Sequence, residues 1–248
     1  MLTFKKKPPF ASSSFTTDGT KLVAIGGSPT DSSLLIYNWK TATIIAKCKA
    51  SKTPVYSLGV SPKDEIYIVG KNFVKYATYS GAEITMRNCI HGNRKPENVY
   101  CVSFGKDGHV YCGSQSGDLL VFRGNSLSRA QKGHTNSIYC LNSMRDGGFL
   151  SGGKDGKVLV WSAEAKSITH TFDLKSPVRS VVQSISDDHL IYACMDNGDF
   201  AKVSINTGEV SVFLKGHSGL DELWALDELA HSNLFVSGGD DGRIIIWD

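Results

Sequence analysis

Short apolar runs broken by polar turns recur along the whole chain, and no stretch sustains a helical period. One set of runs reads Leu34-Leu35-Ile36-Tyr37-Asn38-Trp39, Phe73-Val74-Lys75-Tyr76-Ala77, Leu119-Leu120-Val121-Phe122, Val158-Leu159-Val160-Trp161, Phe200-Ala201-Lys202-Val203 and Ile244-Ile245-Ile246-Trp247. Successive endpoints Trp39, Ala77, Phe122, Trp161, Val203 and Trp247 lie 38, 45, 39, 42 and 44 residues apart. A second set opens the units: Val55-Tyr56-Ser57-Leu58, Val99-Tyr100-Cys101-Val102, Ile138-Tyr139-Cys140-Leu141, Val178-Arg179-Ser180-Val181 and Leu223-Trp224-Ala225-Leu226. Turns such as Lys106-Asp107-Gly108, Arg145-Asp146-Gly147-Gly148 and Ser186-Asp187-Asp188 follow these runs. Asp-Gly and Gly-Gly pairs suit tight antiparallel hairpins, whose backbones demand positive φ. A period of about 40–45 residues made of short strands is that of a four-stranded propeller blade. The pattern predicts an all-β fold, one β-propeller domain over residues 1–248, with blade repeats ending near 39, 77, 122, 161, 203 and 247.

All six units end on a third strand, and no fourth-strand pattern follows Ile244 to Trp247. Either Met1 to Lys5 supplies that strand or the six units are part of a longer ring; the longer ring is the preferred expectation.

Composition narrows the partners. Twenty-seven Lys and Arg against 24 Asp and Glu leave a net charge of +3, too weak a balance to argue for nucleic acid. The Lys5-Lys6-Lys7 run reads as a solvated terminus. No apolar run approaches the roughly 20 residues that span a membrane, and Leu2-Thr3-Phe4 is too short for a signal-peptide core. Cys48, Cys89, Cys101, Cys112, Cys140 and Cys194 are scattered without a CxxC pair, and read as reduced, buried thiols of an intracellular protein.

Two units share a longer phrase. One runs from Gly133-His134 through Ser151-Gly152-Gly153-Lys154-Asp155-Gly156 to Trp161; the other from Gly216-His217 through Ser237-Gly238-Gly239-Asp240-Asp241-Gly242 to Trp247. These resemble WD repeats. The resemblance implies one hydrogen-bonded set per blade: His134, Ser151, Asp155 and Trp161, and again His217, Ser237, Asp241 and Trp247. Such groups are costly to bury alone and favourable when mutually satisfied. Their recurrence argues for a structural role over a Ser/His/Asp catalytic set. Elsewhere Ser116 and Asn197 stand at the turn Asp, and Ala77, Phe122 and Val203 at the Trp. No GxSxG, GxxxxGK[ST] or helix-opening GxGxxG occurs, so no enzyme activity and no cofactor are expected. Cys89, His91, Cys101, His109 and Cys112 crowd together, but their spacing matches no zinc pattern, so no metal is expected either.

The chain resembles the first propeller of the echinoderm microtubule-associated protein-like family. The likeness is carried by Gly216-His217-Ser218-Gly219-Leu220-Asp221-Glu222-Leu223-Trp224-Ala225-Leu226, and by Lys95-Pro96-Glu97-Asn98-Val99-Tyr100-Cys101-Val102-Ser103-Phe104 with Ser114 to Phe122 behind it. Tyr139-Cys140-Leu141 through Met144 to Asp155 adds a third stretch, and weaker likeness runs from Phe10 to Tyr79. The resemblance implies a microtubule- or tubulin-associated protein of the cytoplasm and cytoskeleton, with cilium or spindle as its setting. The rival expectation is a scaffold propeller that binds a peptide or another subunit of a complex.

Propeller geometry gives the candidate site. The first strand of each blade lines the central channel, and its start lies at the rim of one face. Just after the first apolar position stand Tyr56, Tyr100, Tyr139, Arg179 and Trp224, with Ala11 in the first unit. Just before it stand Pro54, Asn98, Ser137, Pro177 and Glu222. Tyr, Trp and Arg are the residue types enriched in binding hot spots. The expected protein-binding residues are therefore Tyr56, Tyr100, Tyr139, Arg179, Trp224, Asn98 and Glu222; the bland alternative is a plug in the channel mouth. Asp221 and Glu222 add acidity, Arg94 and Lys95 basicity, and such a mixed face suits a protein over nucleic acid or membrane.

Overall fold

Runs of Val, Ile and Leu bounded by Gly, Asp and Asn turns fold into six antiparallel sheets. A computed structural model describes residues 10–26, 32–214, 223–228, 235–239 and 243–247, with side chains in 213–242 and at 247 outside that description.

The first sheet holds β1 (Phe10–Phe15), β2 (Lys21–Gly26), β3 (Ser32–Asn38) and β4 (Thr43–Ser51). The second holds β5 (Val55–Val60), β6 (Ile66–Gly70), β7 (Phe73–Ser80) and β8 (Glu83–Asn88). Blade three is β9 (Val99–Phe104), β10 (Val110–Ser114), β11 (Asp118–Arg123) and β12 (Ser126–Lys132). Blade four is β13 (Ile138–Ser143), β14 (Phe149–Gly153), β15 (Lys157–Trp161) and β16 (Ile168–Asp173), with one 3-10 turn at Ala163–Ala165. Blade five is β17 (Val178–Gln183), β18 (Leu190–Met195), β19 (Phe200–Ser204) and β20 (Val210–Leu214). The sixth is three-stranded among the described residues: β21 (Leu223–Glu228), β22 (Phe235–Gly239) and β23 (Ile244–Trp247). Met1 to Lys5, one of the two expected sources of a closing strand, lies outside the described residues.

Strands follow chain order within each sheet, so the first and fourth are its edges. First strands β1, β5, β9, β13 and β17 pack side by side, each against the next. The fold is an all-β propeller. Three of its second strands are dry: every residue of β6, β10 and β14 is buried. Sheets covered on both faces need continuous apolar runs, whereas fourth strands β8 and β12 alternate exposed and half-buried positions.

The core is divided among the junctions between blades. Val23, Ile25 and Ile36 meet Leu58, Ile66 and Ile68 at the first junction. Tyr67, Val69 and Val74 meet Val110, Leu120 and Phe122 at the second. Tyr111, Leu119 and Val121 meet Phe149, Leu159 and Trp161, and Leu150, Val158 and Val160 meet Val181, Ile191 and Ala193. Burying one Ile or Leu side chain contributes about 1.5–3 kcal/mol, so each junction is a stabilising unit.

Register corrects one endpoint. Leu22 pairs with Tyr37 as Phe149 pairs with Trp161, so Tyr37 fills the tryptophan position of blade one. Tyr37 is 1% exposed, whereas Trp39 is 44% exposed in the turn beyond. The Trp39 indole N–H donates to the Gly19 carbonyl at 2.8 Å, and its ring sits edge-on to Phe15. The other third-strand endpoints sit at matching register, Ile66 with Ala77, Val110 with Phe122 and Ile191 with Val203.

Candidate protein-interaction face

Every first strand breaks register at the same place. Pairing steps from Phe10 to Ser12, Val55 to Ser57, Val99 to Cys101, Ile138 to Cys140, Val178 to Ser180 and Leu223 to Ala225. The skipped residues are Ala11, Tyr56, Tyr100, Tyr139, Arg179 and Trp224. A bulge frees one residue from the ladder and re-aims its side chain. The sequence positions were legible; the bulges beneath them were not.

The freed side chains form a continuous row. Tyr56 and Tyr100 lie 5.1 Å apart between ring centroids, and Tyr100 and Tyr139 5.7 Å apart, edge to face. The Arg179 guanidinium stands 4.4 Å over the Tyr139 ring and donates from Nε to Asp196 at 2.5 Å. The tyrosines are half-buried and Arg179 is exposed. Burial, with Tyr100 close by, raises the Tyr56 phenol above its ordinary pKa. Trp224 holds the equivalent backbone position in β21; its side chain lies outside the described residues, as do Asp221 and Glu222.

A main-chain clasp anchors the row. The N–H groups of Lys71, Gln115, Lys154 and Asp196 donate to the carbonyls of Pro54, Asn98, Ser137 and Pro177 at 2.9, 2.8, 2.8 and 2.7 Å. Each acceptor sits two residues before a bulge residue, so those carbonyls are spent holding the turn between second and third strands. The Ser137 hydroxyl reaches back to the Gln115 carbonyl at 3.1 Å, tying blade four to blade three. The Asn98 side-chain oxygen is buried without a partner among the described residues.

In blade four the four polar residues of the long phrase meet. The Trp161 indole N–H donates to Ser151 Oγ at 2.9 Å, Ser151 Oγ lies 2.8 Å from His134 Nε2, and His134 Nδ1 lies 2.8 Å from Asp155 Oδ1. Asp155 also accepts from the Thr135 and Lys157 N–H groups at 2.9 and 3.2 Å. Burial holds the His134 imidazole below its ordinary pKa, outweighing the pull of Asp155. Burial alone would raise Asp155, but His134 and the Thr135 amide together hold it low. A neutral imidazole facing a carboxylate carries its proton on Nδ1, so Nε2 accepts the Ser151 hydroxyl and donation runs one way from Trp161 to Asp155. Ser151 is 0% exposed with its oxygen engaged twice, so no substrate reaches it. Ser237 and Trp247 occupy the matching ladder positions in β22 and β23, while His217 and Asp241 lie outside the described residues.

Blade three replaces this clamp with a reversed one. Glu97, in the loop before β9, accepts from the Ser116 amide at 2.8 Å and from its hydroxyl at 3.1 Å. In blade four the turn acid grips a loop amide; here the loop acid grips a turn amide. Arg94 bridges Glu97 and Asp118 at 2.5 and 2.7 Å, and Lys132 reaches Asp118 at 2.9 Å. The Arg94–Glu97 pairing was the available sequence signal, masked by the expectation that the turn residue itself would supply the acid. Arg94 is thereby spent inside the network and not presented on the face.

The crowded Cys and His residues are held in packing and local hydrogen bonds, with Cys89 and Cys112 in one apolar cluster. Cys101 and Cys112 are buried in strands, burial pushes the Cys89 thiol up to about 12, and His109 bonds Asp107 at 2.6 Å. No three His, Cys, Asp or Glu side chains converge on a metal-sized site among the described residues. Among the described residues no helix is long and apolar enough to cross a membrane.

Comparison with known proteins places the chain. Residues 7–201 match the family model for the echinoderm microtubule-associated protein first beta-propeller, and residues 208–248 match the WD domain, G-beta repeat. Human echinoderm microtubule-associated protein-like 1 is 30% identical over 239 residues, covering 93% of this chain and 29% of the relative. The 77 kDa echinoderm microtubule-associated protein of Strongylocentrotus purpuratus is 28% identical, covering 93% and 34%. The ciliary WD repeat-containing protein ctxp80 of Euplotoides octocarinatus is 27% identical, covering 92% and 32%. The chain thus spans about a third of the length of these relatives. Among solved structures, the Cps50 (Swd1) propeller of Myceliophteria thermophila superposes with a TM-score of 0.72 at 14% identity, covering 96% of this chain and 83% of that one. The WD40 propeller of Doa1 gives 0.63 at 20% identity, covering 96% and 78%, and both show the fold alone. A WD-repeat propeller whose first 201 residues match that family model almost throughout belongs to the echinoderm microtubule-associated protein family.

Proposed function

We propose that this chain is a non-catalytic interaction propeller that contacts tubulin or microtubules through the face carrying Tyr56, Tyr100, Tyr139 and Arg179. The observation that carries the reading is the repeated bulge, which frees a large side chain from the ladder at the same end of the first strands of blades two to five, where blade one has Ala11. A packing role alone needs no bulge, since the ladder could bury the same rings. Tubulin as partner draws its support from relatives named for microtubule association and one named ciliary. Trp224, Asn98 and Glu222 extend the face, and the cellular setting follows as the microtubule cytoskeleton, cilium or spindle. All 248 residues act as one propeller domain in this reading.

Co-sedimentation with assembled microtubules and size-exclusion chromatography with soluble tubulin test the partner. Binding in either supports it. Failure in both, with a protein that melts cooperatively, overturns tubulin as partner and leaves the face open to a peptide or to another subunit of a complex.

A further inference from the structure

Charge on the rim of blades two to four is not balanced by its own pairing. Among the described acids at that end, Glu97 and Asp118 are paired with Arg94 at 2.5 and 2.7 Å and Asp173 with Lys175 at 2.6 Å, while Asp155 bonds the neutral His134 at 2.8 Å with only 6% of its side chain exposed. Lys52, Lys71, Lys95 and Lys154 are exposed at the same end and make no ion pair among the described residues. Two of them stand beside the aromatic row. Lys71 donates its N–H to Pro54, two residues before Tyr56, and Lys154 donates its N–H to Ser137, two residues before Tyr139.

The residue paired with each bulge follows a rule of charge. Tyr56 stands with Lys71, Tyr100 with the neutral Gln115, Tyr139 with Lys154, but Arg179 with Asp196, which holds it. The one cation in the row is neutralised from within, while Tyr56 and Tyr139 keep lysines that make no ion pair among the described residues. Blade five adds Asp196 and Asp199 and ends the basic sector.

We propose that this sector binds an acidic peptide segment, with an apolar side chain laid over Tyr56, Tyr100 and Tyr139 and carboxylates on Lys71 and Lys154. The proposal rests on the rim being the binding face, and not on tubulin being its owner. Discrete carboxylates can register with two lysines set apart on the rim, whereas a phosphate backbone carries its charge continuously. Tyrosine rings offer the apolar platform and a hydroxyl that a solvated rim can satisfy.

The probe is a short fluorescent glutamate-rich peptide with one central phenylalanine, read by anisotropy against its glutamine counterpart and a short single-stranded RNA. The account expects binding of the glutamate peptide, weakened about tenfold on raising salt from about 50 to about 200 mM. Lys71→Gln with Lys154→Gln should weaken it about tenfold, and Lys71→Arg with Lys154→Arg should leave it within about threefold. Tyr100→Ala should weaken it with salt dependence retained. Equal affinity for the glutamine peptide, an unaffected Lys→Gln double variant, or tighter binding of the RNA overturns the proposal. Tubulin distinguishes the two readings: wild type that binds the peptide but not tubulin overturns only the tubulin assignment. Tubulin binding that the Lys→Gln double variant leaves intact overturns only the acidic-segment proposal.

Discussion

At the residue scale, the blade-four clamp works because each polar group is another's partner. Trp161→Phe keeps an aromatic ring beside Phe149, 5.6 Å away between centroids in the native blade, but removes the N–H on Ser151 and part of the buried indole. It should cost about 1–2 kcal/mol in urea unfolding. Asp155→Ala should cost more, about 2–4 kcal/mol, because it strands the His134 Nδ1–H and two backbone amides together. The same clamp makes the fold acid-sensitive. His134 has a folded pKa below its unfolded value of about 6.5, so acid protonates the unfolded chain first. Its contribution is complete above about pH 6.5 and is lost as pH falls from there toward the folded value. Asp155, also held low, adds loss only below the ordinary carboxylate range. Burial lowers His91 as well, so it shares the loss that begins as pH falls through about 6.5. His134→Gln should melt lower than wild type at pH 7.5 yet lose less on going to pH 5.5; melting curves at both pH values check this.

At the element scale, blades are joined by close approach of strands through small residues. A Cβ on Gly152 in β14 would lie 2.6 Å from Cys140 Sγ and 2.6 Å from Val178 of the next blade. Gly152→Ala should therefore cost about 1–3 kcal/mol by chemical denaturation, with no change in the clamp's own hydrogen bonds. If unfolding is unchanged, the junction is looser than this packing implies. The strands and their order were legible in the sequence because apolar runs and turn residues repeat at one period. The equivalence of Tyr56, Tyr100, Tyr139 and Arg179 was legible too, since each follows the first apolar residue of its run. Trp39 misled because its chemistry matched the repeat while its register did not; counting from the inward Leu35 leads to Tyr37. The reversed clamp of Glu97 and Ser116 escaped because pattern reading compares like positions, and here the acid changed sides of the hydrogen bond. Bulges escaped for a related reason: alternation in a run of six residues does not report which one the ladder skips.

At the scale of the whole molecule, two polar systems divide the labour. The clamp of His134, Ser151, Asp155 and Trp161 is sealed inside a blade and stabilises it. The row of Tyr56, Tyr100, Tyr139 and Arg179 is part-exposed, and among the described residues its ring and ion contacts join its members to one another and to Asp196. Binding and stability should then separate on mutation, as hot-spot residues on a rigid scaffold do. The most direct test is tubulin affinity and melting temperature for Tyr100→Ala and Arg179→Ala beside Ser151→Ala. Each rim variant should lose about 2 kcal/mol of binding or more with melting within about 2 °C of wild type, and Ser151→Ala should melt lower while binding normally when folded. Rim variants that melt lower and bind as wild type would show that the aromatic row plugs the channel and that partners dock elsewhere.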